Sequence, residues 1–380
     1  MLNQGIEQLL EESGAPCISV ILPMQRLSRN RANNPEVLNN ALSLAKNFFF
    51  ISYSQPNKEI DGVIKKLDDL AESIDFTHLE DGIGLYVSPN ISKLVIFPFP
   101  VIEKVKVGNT FEIRDLLYYQ NTILDYSILS ISKRHIHLYD AHEKKLTEVK
   151  NKEFPINYEE TYEYARPTIG TSFSNSSLKG FERDKSVIEE IRLVDFLRIA
   201  DDLLDKYIGK DSPLIISGGK KEIADYMQIT NNAKRIIGKI TGNYNIDKQL
   251  ANLAWNYVHD YLTHQNQLLL ENIRELFGVE MLAVGLEDVW KAATEGKGLE
   301  LIVEKDFERS AYISKDSYNL KLKKPIDNTS YKFVGDAIES LIKITREKKG
   351  KISFVDNGEM NEFDGIVMKL RYNNNPIYNK

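Results

Sequence analysis

A single cysteine, Cys17, stands in a chain of 380 residues. That excludes an internal disulfide and any zinc cluster built from cysteines. No apolar run approaches the roughly 18 residues that a membrane helix needs, so a membrane is not an expected partner. Met1–Gly14 places Leu2, Ile6, Leu9 and Leu10 at helical spacing among three glutamates. It has neither the basic start nor the apolar core of a signal peptide, and a cytoplasmic protein is expected. Positive charge is also scarce: 49 basic residues face 55 acidic ones, a net charge of -6. A free-standing nucleic-acid binder is usually basic, so DNA is not an expected partner and any RNA contact must come from local patches. Lys343–Lys351 and Lys321-Leu-Lys-Lys324 are the two candidates. Both also read as ordinary solvated charge, the first as a helix end favoured by the helix dipole.

The length calls for more than one domain of about 100–200 residues. Helical and strand patterns alternate along the chain, which predicts α/β and α+β layers. The pattern predicts three domains, 1–148, 149–277 and 278–380. In the first, Cys17–Pro23 reads as a strand. Asn34-Pro35 opens a helix with Val37, Leu38, Ala41, Leu42 and Ala45 on one side, and a second helix covers Asn57–Ile74. Strands follow at Gly82–Val87, Lys93–Phe97, Val101–Val107, Tyr126–Ser132 and His135–Tyr139, with a short helix at Asp115–Tyr119. In the second, an irregular stretch precedes helix Asp184–Ile208, strand Pro213–Ser217, strand Arg235–Ile240 and a long helix from Asp247 to Phe277. The third runs from a helix after Gly285 through an apolar strand to strands Ile352–Val355 and Gly365–Tyr372. Basic and acidic residues number 15 and 19, 17 and 19, and 17 and 17 in the three segments.

Few residues have the spacing of a catalytic set. Ser217-Gly-Gly-Lys220 follows a strand and opens a helix, where backbone N–H groups can hold a phosphate. It lacks the full G-x-x-x-x-G-K-[ST] spacing and reads first as a plain strand-to-helix turn. His135 and His137 alternate on a strand and share a face, with His142 nearby. No complete metal-ligand spacing is present, and no metal or cofactor is expected. Asp201, Asp202 and Asp205 read as the solvent face of a helix. No G-x-S-x-G occurs.

Two groups of motifs carry a resemblance. One is Gly285-Leu-Glu-Asp-Val-Trp-Lys-Ala-Ala-Thr-Glu-Gly-Lys-Gly-Leu-Glu-Leu-Ile-Val-Glu304, taken with the closing strand Gly365–Tyr372. The other is Asp81-Gly-Ile-Gly-Leu-Tyr-Val-Ser-Pro89 followed by Pro98-Phe-Pro-Val101, Val105-Lys-Val-Gly108 and Phe111-Glu-Ile-Arg-Asp-Leu-Leu117. They resemble the bacterial branch of the archaeo-eukaryotic peptide-release-factor superfamily, which includes Pelota-like proteins. The resemblance implies an RNase H-like middle domain without nuclease chemistry, and an α/β/α C-terminal domain like the ribosomal kink-turn-binding fold. It implies a cytoplasmic, ribosome-associated adaptor in termination or in rescue of stalled ribosomes. Its partners would be the ribosome, rRNA or tRNA, with a partner protein at the C-terminal domain. One departure is plain: the Gly-Gly-Gln of the family's peptide-releasing members is absent. In its place lies the polar stretch Arg166–Lys185, whose Arg166, Lys179, Arg183 and Lys185 suit phosphates and whose Phe173 and Phe181 suit base stacking. Lys348 and Lys349 are the matching candidates near the C-terminus. Two other readings stay open: a peptidyl-tRNA or RNA hydrolase using a variant loop, and a protein-interaction scaffold that has lost ribosome binding.

Overall fold

The computed structural model describes residues 2–25, 32–53, 58–158, 175–242, 247–277, 281–326 and 330–372. The chain divides into two compact units, one of residues 1–122 with 270–380 and one of residues 123–269.

The first unit begins with α1 (Leu2–Glu11), β1 (Ser13–Pro23), α2 (Asn34–Ser52), α3 (Lys58–Glu72), β2 (Gly82–Val87), β3 (Ser92–Phe97), β4 (Lys104–Thr110) and α4 (Arg114–Thr122). Its antiparallel sheet has the order β3-β2-β1-β4. Ile18, Val20 and Leu22 of β1 pack with Leu38, Ala41, Leu42, Ala45 and Phe49 of α2 and with Val63 and Leu67 of α3. The apolar residues of α2 recur every three or four positions, which puts one helical stripe on the sheet. Pro35 sits in the first turn as predicted, but the cap position is Asn33. Asn34 instead accepts from the Gln25 backbone N–H at 3.1 Å and donates back to its carbonyl at 3.2 Å. The strand predicted from Val101 starts at Lys104, because Pro98 and Pro100 supply no N–H for a ladder.

The second unit holds β5 (Asp125–Ile131), β6 (His135–His142), β7 (Lys145–Glu148), β8 (Ile156–Asn157), α5 (Asn175–Tyr207), β9 (Leu214–Gly218), α6 (Lys220–Ile229), β10 (Ile236–Thr241) and most of α7 (Asp247–Phe277). The sheet order is β10-β9-β5-β6-β7, with β8 beside β6. β5, β9 and β10 run parallel, and β6 is antiparallel to β5 and β7. Thus β5 to β7 lie before residue 148 in the chain yet belong to the sheet of β9. β5 is apolar on both faces and needs a layer on each side. Leu129 and Ile131 meet Phe196, Leu197 and Tyr226 on one face. Tyr126 and Ile128 meet Leu250, Ala254 and Val258 on the other. Helix α5 starts at Asn175, nine residues before the predicted Asp184. No proline interrupts the chain from Asn175 to Tyr207, and Gly180 alone costs a helix only about 1 kcal/mol. The polar stretch expected to be a loop through Lys185 is therefore helical from Asn175 onward.

The first unit resumes with β11 (Leu282–Val284), α8 (Leu286–Thr294), β12 (Gly298–Glu304), β13 (Ala311–Ser314), β14 (Leu320–Lys321), β15 (Tyr331–Val334), α9 (Ala337–Glu347), β16 (Lys351–Val355) and β17 (Ile366–Leu370). A mixed sheet has the order β11-β17-β12-β16, so the closing strand of the chain is an interior one. A Cβ at Gly298 would lie 2.4 Å from the Met368 sulfur, so the Met368 side chain packs over the glycine of β12. β13, β14 and β15 form a separate three-stranded sheet that the sequence reading missed. The fold is mixed α/β throughout.

Candidate functional site

The motif Phe111–Leu117 leads from β4 into α4. Phe111, Ile113, Leu116 and Leu117 are buried, and Glu112, Arg114 and Asp115 are buried between them. Glu112 and Arg114 reach α9 and its cap, whereas Asp115 faces Lys104 of β4 at 3.9 Å. Arg114 Nη1 donates to the Phe307 carbonyl at 3.1 Å and Nη2 donates to the Asp336 carboxylate. Asp336 also caps α9 by accepting from the Ile338 N–H at 3.0 Å. The Glu339 carboxylate accepts from the Ile113 N–H at 3.0 Å. Lys106 pairs with Glu112 at 2.6 Å and Lys343 with Glu339 at 3.3 Å. Burial, then the neighbouring Glu112, push the Glu339 carboxyl up to about 7. Burial would raise Glu112 as well, but its bond with Glu339 and the Lys106 ammonium hold it down at about 2. Glu112 is the ionised partner, and Glu339 keeps the proton that joins them. Beside this joint the Lys305 ammonium lies 4.6 Å from the Phe99 ring and 4.9 Å from Tyr118. The motif that carries part of the resemblance is therefore the clasp between residues 1–122 and the C-terminal part of the same unit.

The residues singled out for RNA fall into three groups. Arg166 and Phe173 lie outside the described residues. Lys179, Phe181, Arg183 and Lys185 occupy the first turns of α5, with Lys179 and Arg183, and Phe181 and Lys185, each one turn apart. Lys348 and Lys349 are exposed at the end of α9. Lys349 is left-handed at φ 59°, a position where glycine is favoured. The Gly350 N–H closes this cap on the Thr345 carbonyl. Helix α8 ends in the same way at Gly296, φ 73°. The two ends are neighbours: the Arg371 N–H donates to the Lys297 carbonyl and its guanidinium to the Lys348 carbonyl, both at 2.9 Å. Arg371 thus joins Lys348 and Lys349 in one basic corner, with Lys297 beside it paired to Glu295 at 2.7 Å. Sequence reading missed Lys297 and Arg371 because 74 positions separate them and only the fold brings them together. The rest of the Lys343–Lys351 run is engaged within the protein. Lys343 donates to Thr110 Oγ1 at 2.8 Å, Arg346 donates to the Leu10 carbonyl at 2.6 Å, and Lys351 pairs with Glu300 at 3.0 Å.

The remaining candidates resolve into structural roles. A Cβ on Gly219 would lie 2.1 Å from Glu222 Oε2. The Glu222 side chain therefore folds back over Gly219 at the start of α6, which has no side-chain cap. Gly218 lets β9 approach β5, since its Cβ would meet the Ile131 carbonyl at 2.4 Å. His135, His137 and His142 each have a separate partner, Asn157, Glu148 and Asp125, at 2.7–2.8 Å. Among the described residues no three His, Cys, Asp or Glu side chains converge. Cys17 is buried, and burial pushes its thiol up to about 12, far from a nucleophile's range.

Asp201 is not solvent-facing as predicted but 3% exposed. It accepts from Tyr226, Thr230, Asn232 and the Asn231 N–H at 2.6–3.0 Å. Burial opposes its charge, and these four donors hold its carboxyl below the usual value. Asp201→Asn is expected to lose about 1–2 kcal/mol in urea unfolding, because an amide cannot accept from all four donors. Asp202→Asn, an exposed change, serves as the near-neutral control.

The model of the family described as bacterial archaeo-eukaryotic release factor family 3 matches residues 125–297. No curated protein matches the chain. Among solved structures, an archaeal translation termination factor, aRF1, is 13% identical over 98% of this chain and 97% of its own, with a TM-score of 0.25. The Dom34 protein of S. cerevisiae is described as a translation termination-like factor involved in RNA quality control pathways and interacting with Hbs1. It is 13% identical over 74% of each chain, with a TM-score of 0.38. Archaeal Pelota, from a ribosome-bound model with ABCE1, is 10% identical over 98% of this chain and 94% of its own, with a TM-score of 0.39. The family match to residues 125–297 and the motifs on either side of it point to the same group, the bacterial branch of the archaeo-eukaryotic release factors.

Proposed function

We propose that this chain is a translation-related factor that binds the ribosome as an adaptor in termination or in rescue of stalled ribosomes. The observation that carries the reading is the family match across the middle unit in a chain without Gly-Gly-Gln. Strand order supports an RNase H-like middle domain: β6 alone is antiparallel in the series β10-β9-β5-β6-β7. The start of α5, with Lys179, Phe181, Arg183 and Lys185, would face tRNA or rRNA together with Arg166 and Phe173. The basic corner at Lys348 and Lys349 offers a second set of phosphate contacts, and the C-terminal sheet a seat for a partner protein. Among the described residues no helix is long and apolar enough to cross a membrane.

Co-sedimentation with bacterial ribosomes at low and high salt tests this. The intact chain is expected to sediment at low salt and to be released as salt rises, because phosphate contacts depend steeply on ionic strength. A chain lacking Thr168–Gly180 should bind less. A folded protein that stays in the supernatant at low salt would sink the adaptor reading. Hydrolysis of peptidyl-tRNA by the pure protein would turn it towards an enzyme.

A further inference from the structure

In the three-stranded sheet β14-β13-β15, the central strand β13 alternates between buried and half-buried residues. Ala311, Ile313 and Leu320 are buried on one face. Directly opposed residues of neighbouring strands share a face, and Tyr312 opposes both Lys321 and Phe333. The row Lys321, Tyr312, Phe333 therefore crosses the outer face from edge to edge, with Tyr331 two residues before Phe333 on the same side. The Tyr312 and Phe333 rings stand edge to face, 5.3 Å apart. Phe333 is 57% exposed. Lys315, Lys323 and Lys324 are exposed around this row, while Lys332 is exposed on the other face, opposite Ile313. Trp290, buried in α8, fixes the β13–β14 turn by donating its indole N–H to the Ser317 carbonyl at 3.0 Å. The Glu287 carboxylate of α8 accepts from the Leu322 N–H at 3.1 Å, just past β14. The platform is thus held on a rigid support.

We propose that this outer face is a binding platform for single-stranded RNA, with unpaired bases on Tyr312 and Phe333 and phosphates at Lys321 and its neighbouring lysines. Exposed rings set in a row of lysines suit a polyanion with stackable faces. Asp316 is the one acidic residue described between Ala311 and Val334, and it is occupied by its own turn, accepting from Ser314 and the Tyr318 N–H. That excess of cations favours RNA over an apolar protein surface. The inference rests on the reading of the chain as a factor that meets RNA, and it names a surface for that encounter.

A short fluorescein-labelled oligouridine, followed by anisotropy, tests the platform by itself. The intact chain should bind it at low salt, and a duplex RNA should compete poorly because its bases are already stacked. Phe333→Ala should weaken binding by about tenfold or more, while Phe333→Tyr, which keeps a ring, should bind like the parent. Lys321→Ala should shallow the log–log salt slope by about 0.7. Equal affinity of the Phe333→Ala and parent proteins, equal competition by duplex RNA, or no binding at low salt would each overturn the proposal. The last two results would assign the face to duplex RNA or to a protein partner. Ribosome co-sedimentation of the same proteins separates the two readings. A parent that sediments with ribosomes but ignores oligouridine removes the platform and keeps the adaptor. One that binds oligouridine but not ribosomes does the reverse.

Discussion

Replacing Arg114 by alanine is expected to cost about 3–5 kcal/mol of stability, the range seen when one member of a buried ion pair is removed. Arg114 is 1% exposed, and its guanidinium answers the Phe307 carbonyl, the Asp336 carboxylate and, at 3.6 Å, Glu308. Without it, Asp336 keeps its half-buried position as the α9 cap but loses its counter-charge. Burial already raises the Asp336 carboxyl even with Arg114 beside it, so the truncated site would have to take up a proton or open. Arg114→Lys should recover only part of the loss, since an ammonium cannot span a carbonyl and a carboxylate in one plane. Urea unfolding followed by circular dichroism measures both. A change below about 1 kcal/mol for the alanine variant would mean that the guanidinium merely offsets its own desolvation.

The Glu112–Glu339 pair gives the second large effect, and its sign depends on pH. The Glu339 carboxyl titrates near 7 in the folded chain against an ordinary glutamate value of 4.5. The folded state therefore holds a proton that the unfolded chain has released. Its contribution is fully present below about 4.5 and is lost as pH rises through about 7. Glu112, held down at about 2, acts oppositely: its contribution is present above about 4.5 and is lost as pH falls through about 2. Of the pair, only Glu339 changes state between pH 5 and 8, and its contribution to stability should fall by up to roughly 3 kcal/mol. Glu339→Gln keeps an acceptor for the Ile113 N–H and a donor towards Glu112 without the titration. Its stability should be flatter over this window and should exceed that of the parent at pH 8. Unfolding midpoints at pH 5.5 and 8 decide it. Parallel pH profiles for the two proteins would show that Glu339 ionises without cost.

Much of the fold is legible because its elements are strongly periodic. The stripe Leu38, Ala41, Leu42, Ala45, Phe49 and the apolar runs of β2, β5 and β9 fix element type with little help from the rest of the chain. Places where the sequence misleads have local causes. The prolines at 98 and 100 delay β4. Asp201 sits in an acidic group that looks solvated, and only the return of Tyr226, Thr230 and Asn232 onto it makes it a buried acceptor. The three-stranded sheet has strands of two to four residues, too short to register as a pattern. Its outer row of Tyr312, Lys321 and Phe333 exists only through cross-strand pairing. The clasp was present as the motif Phe111–Leu117, but nothing in its spacing says that Glu112 and Arg114 point inward. Lys348 and Lys349 could be named from sequence, whereas Lys297 and Arg371 could not.

The first unit is made from the two ends of the chain, and that orders events during synthesis. Residues 1–122 leave the ribosome first, yet the partners of Arg114 and the Ile113 N–H are Asp336 and Glu339. At about 5–20 residues per second, the interval between completing residue 122 and completing α9 at residue 347 is on the order of 10–50 s. The intervening unit, Ile123–Leu269, draws its contacts from its own span and has the chance to fold within that interval. The N-terminal segment meanwhile holds a buried-type arginine without Asp336 and a glutamate with Lys106 but without Glu339, and it closes only when α9 is made. A chain cut short before α9 would carry an unmatched clasp, a feature by which quality control can tell an incomplete copy from a finished one.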